Sequence, residues 1–513
     1  MEPKINRRDF LKLALSLPLL NLVSYRPLAS LGDPGVASRP PNILILVFDA
    51  LSARNLPFHG YPRQTTPNLA RLAERATVYH THHSGGNFTT PGTASIFTGT
   101  YPWSHRALHL HGTMLETYGQ RNIFSLAAPG YYRLGYSHNL LVTSLMHQMR
   151  ADLEKLMFTR ELILADMEYS DRVFPEDFNV SFWSESLILR GYSTKASSLF
   201  ISQLYHLWEG LRERALERKY AGQFPLGVPT INGLYWILEE GIDWCIDQLG
   251  KLPQPYLAYI HFYPPHHPYY PRLDFIDHFK DDYVPARKPR HRFSEKGVTP
   301  KYLNQQRKAY DEYLAYADSE FGRLYDHLLG SELLENTYLI FTSDHGEMFE
   351  RGIWGHGTRT LYEPLVHVPL LISKPGQAER QDIFTPTSNV DLLPTLMSLM
   401  GQPIPNWSEG EILPGFSPSP SDGERSIYVM EAKQNAQRAP LKIGTFALFK
   451  GPYKLIHYRG YEDYKGERDE LYNLANDPEE MEDRFEAEKS LAMELEEELD
   501  ARIEEANRPF EKG

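Results

Sequence analysis

Continuous apolar runs that end at a polar residue recur along the chain. Asn42 to Phe48 and Thr337 to Thr342 are rich in leucine and β-branched residues, with little alternation of polar and apolar positions. This is the pattern of strands buried on both faces of a sheet. Leu257 to Phe262 and Val368 to Ser373 read as further strands. A long amphipathic stretch over residues 301 to 330 falls between two of these runs. Strands alternating with helices predict an α/β fold.

Other helices are indicated by periodicity and by their end signals. Thr66-Pro67-Asn68 opens a helix that runs through Ala76, with proline in its first turn. Val390 to Met400 reads as a helix that Gly401 ends. Residues from about 106 to 250 mix aromatic and charged positions, with helical periodicity in two stretches. We expect this region to be a largely helical insertion that shapes the substrate pocket.

The domain organisation follows from changes in composition. Residues 39–401 are expected to form the larger domain, which carries the predicted α/β sheet. Residues 402–425 hold five prolines and three glycines, which marks a linker. Residues 426–513 are expected to form a smaller C-terminal α+β subdomain. Its predicted elements are short strands at Ser426 to Met430, Phe446 to Lys450 and Tyr453 to His457, and an acidic helix within Pro478 to Arg508.

Composition narrows the class of protein. With 513 residues and 42% apolar content, the chain can build a substantial core. Its formal net charge of -13 argues against nucleic acid as a partner, since neutralising phosphates needs a dense face of lysine and arginine. Cys245 is the only cysteine, which excludes an internal disulfide and any multi-cysteine metal site.

The first residues carry a targeting pattern. Asn6 to Lys12 contains Arg7-Arg8 and leads into the apolar run Leu13 to Val23, which is too short to span a bilayer. The segment resembles a twin-arginine export signal, so we expect residues 1–38 to be a signal and linker. The resemblance implies export in the folded state to the periplasm or cell surface, with membrane proximity if the signal stays uncleaved. The alternative is an amphipathic first helix of the fold.

Residues able to support catalysis follow the predicted strands. Asp49 ends the first run, and Asp344-His345 ends another. Open α/β sheets bind ligands at the carboxyl ends of their strands, which favours one shared site over separate turn or cap residues. Thr89 lies just before Pro91, at a plausible helix start where an anion binds readily. Thr90 is the alternative nucleophile, and an N-cap without chemistry is the alternative role for Thr89.

These four residues form a set suited to one metal. Asp49, Thr89, Asp344 and His345 would supply three oxygen ligands and one nitrogen ligand, as zinc or manganese prefer. Coordination to a divalent cation lowers the pKa of a threonine hydroxyl and turns it into a nucleophile.

The chain resembles the sulfatase-like branch of the alkaline phosphatase superfamily, from Pro41 to about Leu474. The matching segments are Phe48 to Leu51, the Thr-x-Pro loop with Thr98 to Pro102, Pro265 to Tyr269, Thr342 to Glu347, Gly355 to Gly357, Leu361 to Glu363, Val368 to Leu370, Val390 to Thr395, Lys454 to Ile456 and Glu470 to Leu474. The resemblance implies an alkaline-phosphatase-like, mixed but mostly parallel sheet between helices.

The departures from that pattern bear on the chemistry. Sulfatases carry a Cys-x-Pro-x-Arg loop whose cysteine becomes formylglycine, and here Thr89 stands at the cysteine position and Thr93 at the arginine position. Relatives with threonine there carry out phosphoryl chemistry. Sulfatases also tend to pair aspartates after the first strand, where this chain has Asp49-Ala50. The missing carboxylate favours zinc or manganese over calcium, and no clear ligand pair for a second metal is present.

Further site residues are expected from the matching segments. His266 and His356 are candidate catalytic residues, which would hydrogen-bond a non-bridging oxygen, protonate the leaving group or bind a second metal. Asn87 and His267 are candidate substrate-binding residues. The leading hypothesis is an exported metal-dependent phosphoesterase or phosphotransferase acting on a small-molecule, lipid-headgroup or glycan ester. The alternatives are a sulfatase and a non-catalytic envelope binding protein.

Overall fold

The central sheet is built around the most apolar run of the chain. In the computed structural model, the strand Asn42–Phe48 pairs in parallel with Tyr256–Phe262 on one side and with Thr337–Thr342 on the other. Alternate residues of this strand enter two separate cores: Ile43, Ile45 and Val47 pack in one, and Leu44, Leu46 and Phe48 in the other. Burial on both faces explains why the strand is apolar almost throughout.

The structure describes residues 39–157, 165–166, 201–231, 234–417, 425–464 and 469–511, so the predicted export signal lies outside the described residues. The strands are β1 Asn42–Phe48, β2 Thr77–Tyr79, β3 His82–His83, β4 Tyr132–Ser137, β5 Lys155–Leu156, β6 Ala165–Asp166, β7 Thr230–Ile231, β8 Leu234–Tyr235, β9 Tyr256–Phe262, β10 Thr337–Thr342, β11 Phe349–Glu350, β12 Ile353–Trp354, β13 Leu370–Ser373, β14 Gln381–Ile383, β15 Thr387–Ser388, β16 Ile427–Glu431, β17 Gly444–Lys450, β18 Tyr453–Arg459 and β19 Glu470–Asn473. The α-helices are α1 Pro67–Ala73, α2 Thr89–Thr98, α3 Pro102–His105, α4 Glu116–Gly119, α5 Leu140–Gln148, α6 Ile201–Tyr220, α7 Leu238–Gln248, α8 Pro300–Gly330, α9 Glu363–Val366, α10 Leu392–Leu399 and α11 Lys489–Asn507.

The main sheet has eight strands in the order β14-β2-β13-β10-β1-β9-β4-β5. Strands β10, β1, β9, β4 and β5 run parallel to one another, while β13 is antiparallel to both β10 and β2. Helix α8 packs against α1 and α7. The prediction of a mixed, mostly parallel sheet flanked by helices is confirmed.

The prediction of a helical insertion over residues 106–250 needs a correction. Strands β4 and β5 lie in this region and belong to the main sheet, next to β9. The sequence of β4 does not have the pattern of a buried strand, because only Leu134 is aliphatic and Gly135 occupies a central position. Gly135 is there because a Cβ would press on the sulfur of Met146 in α5. The helical reading holds for α6 and α7, which follow later in the same region.

The C-terminal residues form a second, antiparallel sheet in the order β16-β17-β18-β19. One face packs under α11 together with Tyr101 and Trp103 of the larger part, and the other packs against residues 348–366. The described residues from Pro40 onward therefore belong to one compact unit. Residues 402–417 of the predicted linker are packed in place, since the Glu409 carboxylate accepts hydrogen bonds from the Tyr101 backbone N–H at 2.7 Å and the Trp103 indole at 2.8 Å.

Within the described residues, no helix has both the length and the apolar composition needed to cross a membrane.

Candidate active site

The carboxyl ends of the parallel strands deliver polar side chains to one edge of the sheet. Asp49 follows β1, Asn139 follows β4, and Asp344 and His345 follow β10, while His261 is the penultimate residue of β9. All five side chains are buried. Because these strands run in parallel, their carboxyl ends meet, as expected for the ligand site of an open α/β sheet.

Thr89 reaches the same place from the start of α2. Phe88 caps the helix with extended backbone, and Thr89 is its first residue. The helix can approach β10 closely because residue 92 is glycine, where a Cβ would collide with the backbone carbonyl of Asp344. As a result, the Thr89 hydroxyl oxygen lies 3.3 Å from Nε2 of His345. The hydroxyl thus sits at a helix N-terminus, which favours a bound anion.

The structure brings together the four residues predicted as metal ligands. Nε2 of His345 lies 3.4 Å from Oδ1 of Asp49 and 3.7 Å from Oδ2 of Asp344. The other ring nitrogen of His345 donates to the carbonyl of Gly346 at 2.9 Å, which leaves Nε2 facing the acids. One ligand atom each from Asp49, Asp344 and His345 lies within 4.8 Å of the others, a spacing that a single ion can bridge.

The distribution of charge among Asp49, Asp344 and His345 also favours a bound cation. Burial would lower the pKa of His345, but Asp344 and Asp49 outweigh it and raise the pKa to about 9. Burial, reinforced by the charge of Asp49, raises the pKa of Asp344 to about 6. Oδ1 of Asp49 is buried without a hydrogen-bond partner. Two buried carboxylates with an unsatisfied oxygen fit a divalent cation, and the mixed oxygen and nitrogen donors suit zinc or manganese.

Two residues of this site were not predicted. The Asn139 amide donates to Oδ2 of Asp49 at 2.6 Å and to the Thr89 hydroxyl at 3.4 Å. Nε2 of His261 lies 3.2 Å from the same Asp49 oxygen, and its Nδ1 lies 2.9 Å from the Tyr259 hydroxyl. A signal for His261 was available, because it is a polar residue near the end of a predicted strand. Asn139 could have been found only by recognising β4.

Two further histidines line the site beside His345. The ring centres of His345 and His356 are 4.4 Å apart, and those of His356 and His266 are 4.6 Å apart. Nδ1 of His356 lies 3.0 Å from a carboxylate oxygen of the buried Glu347, a partner that the sequence did not reveal. Burial lowers the pKa of His266 to about 4, so its imidazole is neutral at neutral pH.

Asn87 and Thr90 both donate hydrogen bonds to backbone carbonyls, and a role in substrate binding stays a prediction for Asn87. The Asn87 amide donates to the backbone carbonyls of His356, Thr358 and Thr360 at 3.3, 2.9 and 3.2 Å. Asn87 therefore holds the segment that carries His356. Its other amide atom, Oδ1, is buried without a hydrogen-bond partner. The hydroxyl of Thr90 donates to the carbonyl of Leu110 at 2.7 Å, which distinguishes it from Thr89.

His267 lies at the rim. Its side chain is exposed, and its ring packs 4.9 Å from the ring of Trp354. The cluster of neighbouring imidazoles formed by His345, His356 and His266 does not include it. A role in substrate binding stays a prediction for His267, and one limited to the rim of the site.

The arrangement places the Thr89 hydroxyl beside a group of possible metal ligands at one edge of an α/β sheet. A family model for the sulfatases matches residues 41–402, and a model for the C-terminal part of N-sulphoglucosamine sulphohydrolase matches residues 350–508. The chain belongs to the sulfatase family. It is a hydrolase of ester bonds, and the family is metal-dependent, which confirms the predicted enzyme over a non-catalytic binding protein.

Relatives extend over most of the chain. A choline-sulfatase of Rhizobium meliloti (strain 1021) is 26% identical over 468 residues, covering 85% of this chain and 83% of that protein. The uncharacterized sulfatase YidJ of Escherichia coli (strain K12) is 24% identical over 462 residues, covering 86% and 82%. Among solved structures, the phosphonate monoester hydrolase of Agrobacterium radiobacter superposes with a TM-score of 0.64 at 19% identity, covering 91% of this chain and 96% of that one.

Proposed function

We propose that the protein is an exported, divalent-metal-dependent hydrolase that cleaves a phosphoester through a covalent intermediate on Thr89. The observation that carries this proposal is the placement of the Thr89 hydroxyl. It lies at the N-terminus of α2, 3.3 Å from Nε2 of His345 and 3.4 Å from the Asn139 amide. A hydroxyl with these neighbours has the position of a nucleophile rather than of a simple helix cap.

Asp49, Asp344 and His345 would hold the metal together with the Thr89 oxygen. A divalent cation bound there lowers the pKa of the hydroxyl and offsets the negative charge of the ester. Asn139 fixes the position of the Asp49 carboxylate relative to the Thr89 hydroxyl by donating a hydrogen bond to each. His261 holds the second oxygen of Asp49, which orients that carboxylate.

The reaction takes two displacements at phosphorus. In the first, the Thr89 oxygen forms a bond to phosphorus, the bond to the leaving oxygen breaks, and the threonine proton ends on that leaving oxygen. His356 and His266 are the side chains placed to relay it, because the ring of His356 adjoins that of His345 and the ring of His266 adjoins that of His356. In the second, a water oxygen forms a bond to phosphorus, the bond between phosphorus and the Thr89 oxygen breaks, and one of the water protons restores the Thr89 hydroxyl.

Sulfate ester hydrolysis is the second candidate. It is favoured by the relatives, since a choline-sulfatase matches 85% of the chain. Against it stands the nucleophile position, because the chain resembles sulfatases but has Thr89 where they carry the cysteine that becomes formylglycine. Threonine cannot be converted to that aldehyde hydrate. Thr93, at the arginine position, donates instead to Asp344 at 3.4 Å.

Several further parts of the proposal come from the sequence. The Arg7-Arg8 segment supports export by the twin-arginine route to the periplasm or cell surface. The substrate is proposed to be a small-molecule, lipid-headgroup or glycan ester. One zinc or manganese ion, rather than calcium, is the proposed metal.

The test compares nitrophenyl esters of sulfate, of a phosphodiester and of a phosphonate on one purified enzyme. We expect turnover of the phosphoryl esters to dominate. Thr89→Ala should abolish it while the bound metal decreases only in part, and Thr90→Ala, whose hydroxyl bonds the Leu110 carbonyl, serves as the matched control with near wild-type activity. Full activity of Thr89→Ala would end the proposal, and dominant sulfate turnover would establish the second candidate.

A further inference from the structure

The C-terminal sheet places one lysine beside the active site. Gly86, in the segment leading to Thr89, pairs in parallel with Met430 near the end of β16. The chain that leaves β16 after Glu431 therefore runs alongside the segment that carries the nucleophile. Two residues later, the ammonium of Lys433 lies 5.9 Å from the ring centre of Phe88. The C-terminal part thus contributes a cation to the wall of a site otherwise built on the main sheet.

The contacts of Lys433 fix the position of its ammonium and leave it able to bind a further group. Its Nζ donates to the carbonyl of Gly357 at 2.7 Å, next to His356. Among the described residues, its ion-pair partner is Glu431, whose carboxylate oxygen lies 3.7 Å away, beyond hydrogen-bonding distance. An ammonium has three N–H donors, so these contacts leave capacity for a ligand. The side chain is 30% exposed, and solvent-borne groups can reach it.

Glu431 acts as a fixed support for this lysine. The carboxylate is buried, with the Tyr461 hydroxyl donating to it at 2.8 Å and the Lys433 backbone N–H at 3.1 Å. Other donors occupy both carboxylate oxygens. Glu431 therefore attracts the ammonium of Lys433 but forms no hydrogen bond with it.

We infer that Lys433 binds a second anionic group of the substrate, next to the ester that Thr89 attacks. The inference rests on the proposed function, because it needs an ester held at Thr89. In the part of the chain that the structure describes, Lys433 contacts the segment at Gly357 and none of the four ligand residues. The anionic group that Lys433 binds therefore lies next to the ester phosphorus and is not the phosphoryl group that reacts. A carboxylate, sulfate or phosphate on the organic part of the ester has the required chemistry.

The test uses two phosphodiesters that differ only in a carboxylate on the alcohol part. Lys433→Gln removes the charge but keeps an amide donor for the Gly357 carbonyl, and Lys433→Arg keeps the charge. We expect Lys433→Gln to raise KM for the carboxylated ester about fivefold, the upper end of what one solvent-accessible charge pair contributes, and to leave the uncharged ester within about twofold. Lys442→Gln, which removes an exposed lysine of the same loop, is the control and should change neither value.

A binding measurement separates this inference from the proposed function. Calorimetry with the carboxylated alcohol alone should give weaker binding to Lys433→Gln than to wild type, whether or not either ester is hydrolysed. Equal loss on both esters would show that Lys433 is a structural tie, and no loss on either would show that it does not face the substrate; each result overturns the inference. A wild-type enzyme that hydrolyses neither ester would instead refute the proposed function.

Discussion

Lys454 is a buried cation that links the C-terminal sheet to helix α9. It lies on β18, and its side chain is fully buried. Its Nζ lies 3.0 Å from a carboxylate oxygen of Glu363, at the start of α9, and 2.7 Å from one of Glu480. The ammonium therefore serves two buried acids from separate segments. We expect Lys454→Met, which keeps the alkyl stem, to destabilise the protein strongly.

The magnitude follows from the burial of all three groups. Glu363 and Glu480 have side-chain exposures of 7% and 0%, so removing the lysine leaves two carboxylates next to each other with little access to water. Breaking a buried ion pair by removing one partner costs about 3–5 kcal/mol, because the remaining charge is uncompensated. We expect the free energy of unfolding to fall by about that amount.

Lys450→Met provides a matched control on the neighbouring strand β17. Lys450 pairs with Glu498 at 2.7 Å, but the two side chains are 33% and 29% exposed, so the loss should be at most about 1 kcal/mol. Urea unfolding followed by far-UV circular dichroism would give both values. If Lys454→Met lost no more stability than Lys450→Met, the reasoning from burial would be refuted.

Two further predictions concern single contacts. Asn139→Ala removes the donor to Asp49 and Thr89, and we expect a loss of about 10- to 100-fold in kcat or metal affinity. The same side chain caps α5 by accepting a hydrogen bond from the Leu141 backbone N–H, so we also expect the free energy of unfolding to fall by about 1 kcal/mol. Activity and metal content within twofold of wild type would contradict the assigned role. Burial lowers the pKa of His457, but the hydrogen bond and charge of Asp469 outweigh it and raise the pKa above the ordinary 6.5. The ion pair therefore stabilises the protein fully below that value and is lost as the pH rises through the folded-state pKa. The melting temperature of His457→Gln should fall furthest below that of wild type near about pH 6, and the difference should shrink towards about pH 9. A difference that does not depend on pH would contradict the role of this ion pair.

The strands with the strongest sequence signal were predicted at their observed bounds. Strands β1 and β10 have the predicted ends, and α8 begins one residue earlier than expected. Both strands are central and buried on both faces, so almost every position is apolar and the pattern is unambiguous. Strand β4 lies nearer the sheet edge, with Tyr132 and Arg133 partly exposed, and its sequence carries no such pattern.

The residues of the candidate site were likewise predicted only where the sequence carries a clear pattern. Asp49, Thr89, Asp344 and His345 follow recognisable runs or motifs, and the structure gathers them at one point. Asn139 was missed because its strand was missed. Glu347 was quoted within a motif, but its partner His356 lies nine residues further along, and only the folded chain shows the 3.0 Å contact. Contacts between segments that carry no shared pattern cannot be read from one sequence.

The central claim is that the Thr89 oxygen forms the bond to phosphorus, and one measurement tests it most directly. The metal-loaded enzyme is mixed with a phosphodiester, quenched in acid during turnover, digested and analysed by mass spectrometry. The account predicts a phosphoryl group on Thr89 in the quenched enzyme and none on Thr90. Continued turnover with Thr89 unmodified at every quench time, together with wild-type activity of Thr89→Ala, would contradict it.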